Sequence, residues 1–412
     1  MRLLQGIETR DCVIQGEKRI SLLDLRAQSA SFGELISKQG WKRLALINPC
    51  ISTQLAMMHA CQEDKVDLLL LRAESDWSEN LCERLSINAA FDPMGALTQT
   101  FNPAPSPTPS SGNIFLTTSG TTGEPKIIEH SITSLCRDIP GQSEAESEAS
   151  WLLTYHPSSF AGLQVLLTAL SSQAVLIAPL ESHLQGLTEA FIKHSPTHVS
   201  GTPSFWRGLL MALSGRDQIP ELKQITLGGE LAEQATLDLL ADTFPTARII
   251  HIYATTEAGV VFKVRDKLAG FPANWIEEGV NETQLQVKGN QLELRREQRS
   301  LGKNEQEKRP WISTGDLVEE RGDRFFFKGR VDGVINVGGS KANPEEIETT
   351  LRTHPAVADA HVFGRPNPIV GSLVSAKIML TPGVETDPEN LKEEIRQFPS
   401  ERLAAHEIPR MI

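Results

Sequence analysis

The chain has 412 residues, 40% of them hydrophobic and 22% charged, and a formal net charge of −12 at pH 7. That length allows two or more domains with ample core, and the acidic balance argues against nucleic-acid partners, which are gripped mainly by clustered Lys and Arg. Five cysteines without a CxxC pair disfavour a disulfide scaffold or zinc ribbon, and the absence of a signal-peptide core or an apolar run of about 18 residues disfavours secretion and membrane spanning, so a reduced, cytoplasmic protein is expected.

An apolar run at 44–47 ends at Asn48-Pro49, a helix-like stretch follows to about residue 60, and a second apolar run occupies 66–71. This is a βαβ pattern. The Pro-rich stretch 102–111 can continue neither a helix nor a central strand, so it is expected to be a loop feeding a strand at 113–117. Strands at 175–177, 198–200 and 224–227 then alternate with helices at 187–193 and 203–213. Such alternation predicts an α/β fold with stacked, mainly parallel sheets. Beyond residue 281 the pattern changes to short alternating strands at 284–287 and 291–294, with turns at Gly289-Asn290 and Gly322-Asp323, which predicts a β-rich subdomain. After Arg330, strand and helix patterns at 333–337, 344–353, 357–363, 373–380 and 389–403 predict a small α+β domain. The expected division is a large N-terminal domain, 1–330, and a small C-terminal one, 331–412.

The strand at 114–117 runs into Thr118-Ser119-Gly120-Thr121-Thr122-Gly123-Glu124-Pro125-Lys126. Two glycines let the backbone turn its N–H groups toward an anion, four hydroxyls add donors and the lysine adds charge, which together suit a polyphosphate. It is not the GxxxxGK[ST] loop, because no lysine directly follows the second glycine. A Ser/Thr/Gly run is by itself more often a surface turn; placement after a strand and the spaced lysine favour the phosphate reading.

This nonapeptide resembles the signature loop of the adenylate-forming superfamily, which includes acyl-CoA synthetases, nonribosomal-peptide adenylation domains and luciferases. Further segments match in order: Tyr253-Ala254-Thr255-Thr256-Glu257, Ser313-Thr314-Gly315-Asp316, the run from Gly329-Arg330-Val331-Asp332 to Gly338-Gly339, and Pro344-Glu345-Glu346-Ile347-Glu348 with His354-Pro355 behind it. The turn Gly228-Gly229-Glu230 also resembles the family's adenine-side turn. The resemblance implies that Tyr253 and Gly228 to Glu230 lie by the adenine and that Asp316 and Arg330 meet the ribose. It gives Thr256 the α-phosphate, makes Glu257 the magnesium ligand beside a catalytic Lys126, and makes Asp332 the hinge of a moving small domain. Pro344 to Glu348 read as fold rather than chemistry.

The chain also departs from the family. Ala254 stands where a glycine is usual, which is expected to reshape the acyl pocket, and Asn336 replaces a usual lysine. The segment 151–170 occupies the place of the acyl-pocket motif. Counting back from Gly162-Leu163, the position of a common family histidine holds Ser159, with His156 three residues earlier and read as a packed or hydrogen-bonded residue. Ser159, Phe160, Gly162 and Ala254 are the expected pocket residues, with Ala161 and Gln164 beside them. The family's catalytic lysine follows a Pro-Arg pair near the end of the small domain; here Pro409-Arg410 is followed by Met411-Ile412, so the small domain is expected to be truncated and adenylation slowed. The part before the phosphate loop is shorter than in fatty-acyl or peptide-synthetase members, which favours a compact ligase for a free small acid. The expected activity is therefore an AMP-forming acid–CoA ligase using ATP, Mg²⁺ and CoA. The alternatives are an acyl-AMP ligase loading the phosphopantetheine of an acyl carrier protein, and a non-catalytic nucleotide-binding homologue.

Overall fold

The structure is a computed structural model that describes residues 3–4, 10–103, 109–118, 126–139, 149–216, 218–296, 310–331, 333–367, 370–381, 384 and 388–412. The chain folds as two compact units. One holds Met1–Phe205, Gly215–Gly229 and Leu240–Arg265, the other Trp206–Ser214, Glu230–Leu239 and Asp266–Ile412.

The first unit contains two sheets with parallel interiors and antiparallel edges. In the six-stranded sheet the order is Leu97–Thr100, Ala89–Phe91, Arg43–Ile47, Asp67–Leu71, Ile114–Thr118 and Lys126–His130. The predicted βαβ unit is present: Arg43–Ile47 pairs in parallel with Asp67–Leu71 through the helix Ile51–Glu63. That helix has no polar stripe and buries residues all round, from Ile51 and Leu55 to Met58 and Cys61, as a helix covered on every side must. In the eight-stranded sheet the order is Gly259–Val264, Arg248–Thr255, Gln224–Gly228, His198–Gly201, Ser150–Leu153, Val175–Ala178, Asp11–Gln15 and Lys18–Ser21. The strands expected at 175–177 and 198–200 are therefore separated by Ser150–Leu153, a strand that sequence reading did not place.

A single core cluster joins side chains of both sheets, Leu44, Leu68, Val13 and Leu176, with Leu55 and Met57 of one helix and Leu163 and Leu166 of the helix Phe160–Ser171. Burying each such leucine stabilises by roughly 1.5–3 kcal/mol. One buried ion pair ties the six-stranded sheet. Parallel register sets Arg43 beside Asp67, with Nε 3.0 Å from Oδ2. Asp67 Oδ1 also accepts from the backbone N–H groups of Ser111, at 2.9 Å, and Asn113, at 3.0 Å. Its lone pairs are thus occupied, which is the condition for a buried charge to be tolerated.

The second unit has a five-stranded antiparallel sheet, ordered Phe271–Pro272, Arg324–Arg330, Ile312–Arg321, Gln291–Arg296 and Thr283–Lys288. The expected two-residue turn is there, with Gly289 at φ 55° and Asn290 at φ 64°, both left-handed as such hairpins require. A four-stranded sheet, ordered Ser340–Ala342, Ile335–Val337, Gly371–Leu380 and Val357–Asn367, packs with the helices Pro344–Arg352 and Pro388–Gln397 around Ile347, Leu351, Val362, Val374, Leu391 and Ile395. The helix expected over 389–403 ends at Gln397 and gives way to a 3₁₀ turn, Phe398–Glu401. Pro399 explains the break, because it lacks the N–H that would continue the ladder.

Candidate active site

In the first unit the segment after Thr118 returns as the strand Lys126–His130, which pairs antiparallel with Ile114–Thr118 so that Thr118 faces Lys126. The predicted phosphate loop thus lies between two antiparallel strands at the edge of the sheet. Ser119, Gly120, Thr121, Thr122 and Gly123 lie outside the described residues. Lys126 is exposed at the mouth of the hairpin.

Thr256 and Glu257 also sit in a hairpin turn, joining Arg248–Thr255 to Gly259–Val264. Gly259 takes φ 73°, and the Ala258 N–H donates to Thr255 Oγ1 at 3.0 Å, closing the turn. Glu257 is exposed and Thr256 half-buried. Tyr253 pairs across the ladder with Phe262, ring centroids 5.0 Å apart and planes at 29°, and a bulge follows between Tyr253 and Ala254. Bulges re-aim the residues after them, and Ala254 emerges exposed. At the end of Gln224–Gly228 the Tyr155 hydroxyl donates to the Gly228 carbonyl at 3.1 Å, and Gly229, exposed at φ 86°, turns the chain; Glu230 is exposed.

The expected pocket residues open the helix Phe160–Ser171. Ser159 is its N-cap: Oγ accepts from the Gly162 N–H at 3.0 Å and donates to the His156 carbonyl at 2.7 Å. A Cβ on Gly162 would come within 2.1 Å of that carbonyl, so only glycine fits. His156 is hydrogen-bonded, as read from the sequence, with Nε2 3.2 Å from Asn48 Oδ1 and Nδ1 accepting from the Ser158 N–H at 3.1 Å.

His130 was missed by sequence reading. The residue is only 7% exposed, and its ring centroid lies 5.5 Å from that of Phe160 with planes at 37°. Burial pushes its pKa down, while the Thr256 backbone and the Glu257 carboxylate favour the charged ring and pull the other way. Nε2 is buried without a hydrogen-bond partner among the described residues. Such an orphan costs about 1–3 kcal/mol. The available signal was strand alternation, which puts Lys126, Ile128 and His130 on one face.

In the second unit Asp316 and Arg330 face each other across antiparallel strands, and Arg330 Nη1 is 3.3 Å from Asp316 Oδ1. Arg330 also donates to the Thr314 carbonyl at 3.3 Å. Gly315 takes φ 79°, which favours glycine, and a Cβ there would stand 3.0 Å from Nη2, so the guanidinium would have to shift by a few tenths of an ångström. Glu345 lies close by. A Cβ on Gly329 would stand 2.6 Å from Glu345 Oε2, an atom that is buried with no hydrogen-bond partner among the described residues. Burial raises the Glu345 pKa, Glu348 and Asp316 add to the rise, and Arg330 opposes it. Asp332, the expected hinge, lies outside the described residues.

No group of three or more His, Cys, Asp or Glu among the described residues could hold a metal ion. The exposed Glu257 nevertheless fits magnesium bound with ATP, since that ion usually takes one or two carboxylates and completes its shell with phosphates and water.

A family model described as AMP-binding enzyme matches residues 19–291, and one described as AMP-binding enzyme C-terminal domain matches 346–412. The human protein named Acyl-coenzyme A synthetase ACSM1, mitochondrial, is 27% identical over 337 residues, covering 73% of this chain and 57% of the relative. The chain therefore spans little more than half the length of that relative. The solved anthranilate CoA ligase AuaEII in complex with anthranoyl-AMP superposes with a TM-score of 0.75 at 16% identity, over 98% of this chain and 90% of the other. The o-succinylbenzoate coenzyme A synthetase of Bacillus subtilis, solved with ATP and magnesium ion, gives 0.68 at 18% identity, over 98% and 92%. These likenesses agree on the fold, and with the matching family model they establish that the chain belongs to the AMP-binding enzyme family.

Proposed function

We propose that the chain is an AMP-forming ligase that activates a small carboxylic acid with ATP as an acyl-adenylate and passes the acyl group to the thiol of CoA. One observation carries this reading: His130, on the strand leaving the phosphate loop, packs its ring 5.5 Å from that of Phe160 at the start of the expected acyl pocket, within reach of the Glu257 charge in the neighbouring hairpin turn. These are the parts that phosphate, metal and acid each need, and adenylate formation requires them side by side. The relatives' printed chemistry supports it, namely an acyl-CoA synthetase, a CoA ligase holding an aryl-adenylate, and a synthetase holding ATP and magnesium.

Bound ATP supplies the electrophilic α-phosphorus and pyrophosphate as leaving group, so that a carboxylate oxygen forms the new P–O bond. Both partners are anions, and the protein's task is to position them and offset their charge. Lys126 supplies a fixed cation at the loop, Glu257 holds the magnesium ion, and Thr256 donates to the α-phosphate. Asp316 takes the ribose hydroxyls, with Arg330 beside it, and Tyr253 and Gly228 to Glu230 flank the adenine. Ser159, Phe160, Gly162 and Ala254 border the acid. The division at 330/331 with a hinge at Asp332 is part of the same proposal. So is a cytoplasmic setting, in keeping with five free thiols and with no described helix long and apolar enough to cross a membrane.

The test is ATP–pyrophosphate exchange by the full-length protein over a panel of aromatic, short-chain and fatty acids, followed by thioester formation with CoA or with holo carrier protein. Exchange with at least one acid and thioester on CoA are expected. ATP binding without exchange on any acid would sink the ligase reading, and thioester on carrier protein alone would replace CoA as acceptor.

A further inference from the structure

The helix Ile51–Glu63 is covered on every side, and among its apolar side chains Gln54 is fully buried, at 0% exposure. A leucine or methionine would fill that place without desolvating an amide, a cost that only hydrogen bonds offset. Gln54 makes them. Its Nε2 donates to the Pro157 carbonyl at 2.9 Å, and its Oε1 accepts from the Ser158 hydroxyl at 3.2 Å. A carbonyl can only accept, so Pro157 fixes which way the amide points. Both partners sit in the turn at 156–159, closed by the Ser159 N–H donating to the His156 carbonyl at 2.9 Å and leading straight into the helix Phe160–Ser171. The His156 carbonyl is also the atom that a Cβ on Gly162 would meet at 2.1 Å, so the first turn of that helix lies directly against it. A turn that shifts therefore carries Phe160 and Gly162 with it. Its other tie, from His156 to Asn48, is exposed, whereas the bond of Ser158 to Gln54 is buried and shielded from competing water.

We infer that Gln54 is a positioning residue for the acid: its amide holds the turn at 156–159, and the turn sets where Phe160 and Gly162 stand in the acyl pocket. The inference rests on the ligase reading and deepens it with a residue outside every motif quoted above. Loosening one wall of the pocket weakens the hold on the acid in ground state and transition state alike, so it acts on the KM for the acid. ATP is gripped by other segments and should not register the change.

The experiment sets wild type beside Gln54→Met, which keeps the length of the side chain and removes both hydrogen bonds, and Ser158→Ala, which removes one. In the full-length protein Gln54→Met should raise the KM for the acid at least about tenfold, while kcat for pyrophosphate exchange and the KM for ATP each move less than about threefold. Ser158→Ala should raise the KM for the acid about threefold, and adding it to Gln54→Met should change that KM less than about twofold, since the shared bond is already gone. Deuterium uptake in the peptide spanning residues 154–163 should rise in Gln54→Met, with the circular dichroism spectrum unchanged. A Gln54→Met protein that melts earlier yet keeps the wild-type KM for the acid would overturn the proposal, as would a KM for ATP that rises as steeply. If Gln54→Met does not fold, Ser158→Ala is read in its place, and a wild-type KM for the acid there overturns it. Deuterium uptake also separates the two claims: a wild type that exchanges with no acid defeats the ligase reading, whereas the hold on the turn then stands or falls on whether uptake at 154–163 rises.

Discussion

Two hairpins carry much of the expected chemistry, and they carry it differently. The hairpin of Arg248–Thr255 and Gly259–Val264 keeps Thr256 and Glu257 in its turn, exposed or half-exposed and outside the ladder. The hairpin of Ile312–Arg321 and Arg324–Arg330 places Asp316 and Arg330 opposite each other within the ladder, ion-paired and wedged against Gly315. Turn-borne residues contribute little to holding their sheets together, as does the side chain of Lys126, exposed at the end of its strand, so their replacement should separate activity from stability. Ladder-borne residues serve both, and their replacement should move the two together.

The largest effect should fall on neither hairpin but inside the six-stranded sheet. Asp67→Ala leaves Arg43 buried without its carboxylate and strips two backbone N–H groups of their acceptor. A loss of about 3–5 kcal/mol is expected in urea denaturation. A loss below about 1 kcal/mol would mean that water or another group takes over the carboxylate's role.

Lys126→Ala comes next and tests the side of the contrast held by exposed side chains. Removing a fixed charge from the phosphate site should cost on the order of 10²–10³ in kcat for pyrophosphate exchange, about 2.7–4 kcal/mol. Stability should stay within about 0.5 kcal/mol, since the side chain is exposed at a hairpin mouth. A marked fall in melting temperature would erase the distinction drawn between exposed side chains and those paired within the ladder.

Asp316→Ala tests the other side. The KM for ATP should rise about tenfold, equivalent to about 1.4 kcal/mol. Stability should fall as well, by no more than about 1 kcal/mol, because Arg330 is half exposed and solvent already screens the pair. Unchanged ATP kinetics would remove Asp316 from the ribose site.

How far the sequence predicts these features depends on whether each is local. The βαβ unit over 44–71 was legible because two apolar runs and a helix length suffice to define it. The Gly289-Asn290 turn was legible because left-handed backbone selects those residue types. The buried pairing of Arg43 with Asp67 was not, since both look like ordinary charges at strand starts until parallel register aligns them. The burial of the Glu345 carboxylate was not legible for a similar reason. An acid in the first turn of a helix is expected to be exposed and favoured by the helix dipole, yet the missing side chain of Gly329 lets its carboxylate be buried. The burial of His130 depends on Phe160, which no local pattern links to it.

The smallest effect concerns Ser159, where local structure and the expected pocket compete for one hydroxyl. The geometry commits that hydroxyl to the helix, accepting from Gly162 and donating to the His156 carbonyl. Ser159→Ala should therefore cost about 1 kcal/mol of stability as a lost N-cap. If capping is all the hydroxyl does, the KM for the acid should stay within about twofold of wild type, because a pocket wall formed by Phe160 and Gly162 would survive the change. A rise of about tenfold in that KM with stability intact would show instead that the hydroxyl contacts the acid. Ser159 would then belong with Thr256 and Glu257, among residues whose work lies outside the ladder and whose loss the fold barely registers.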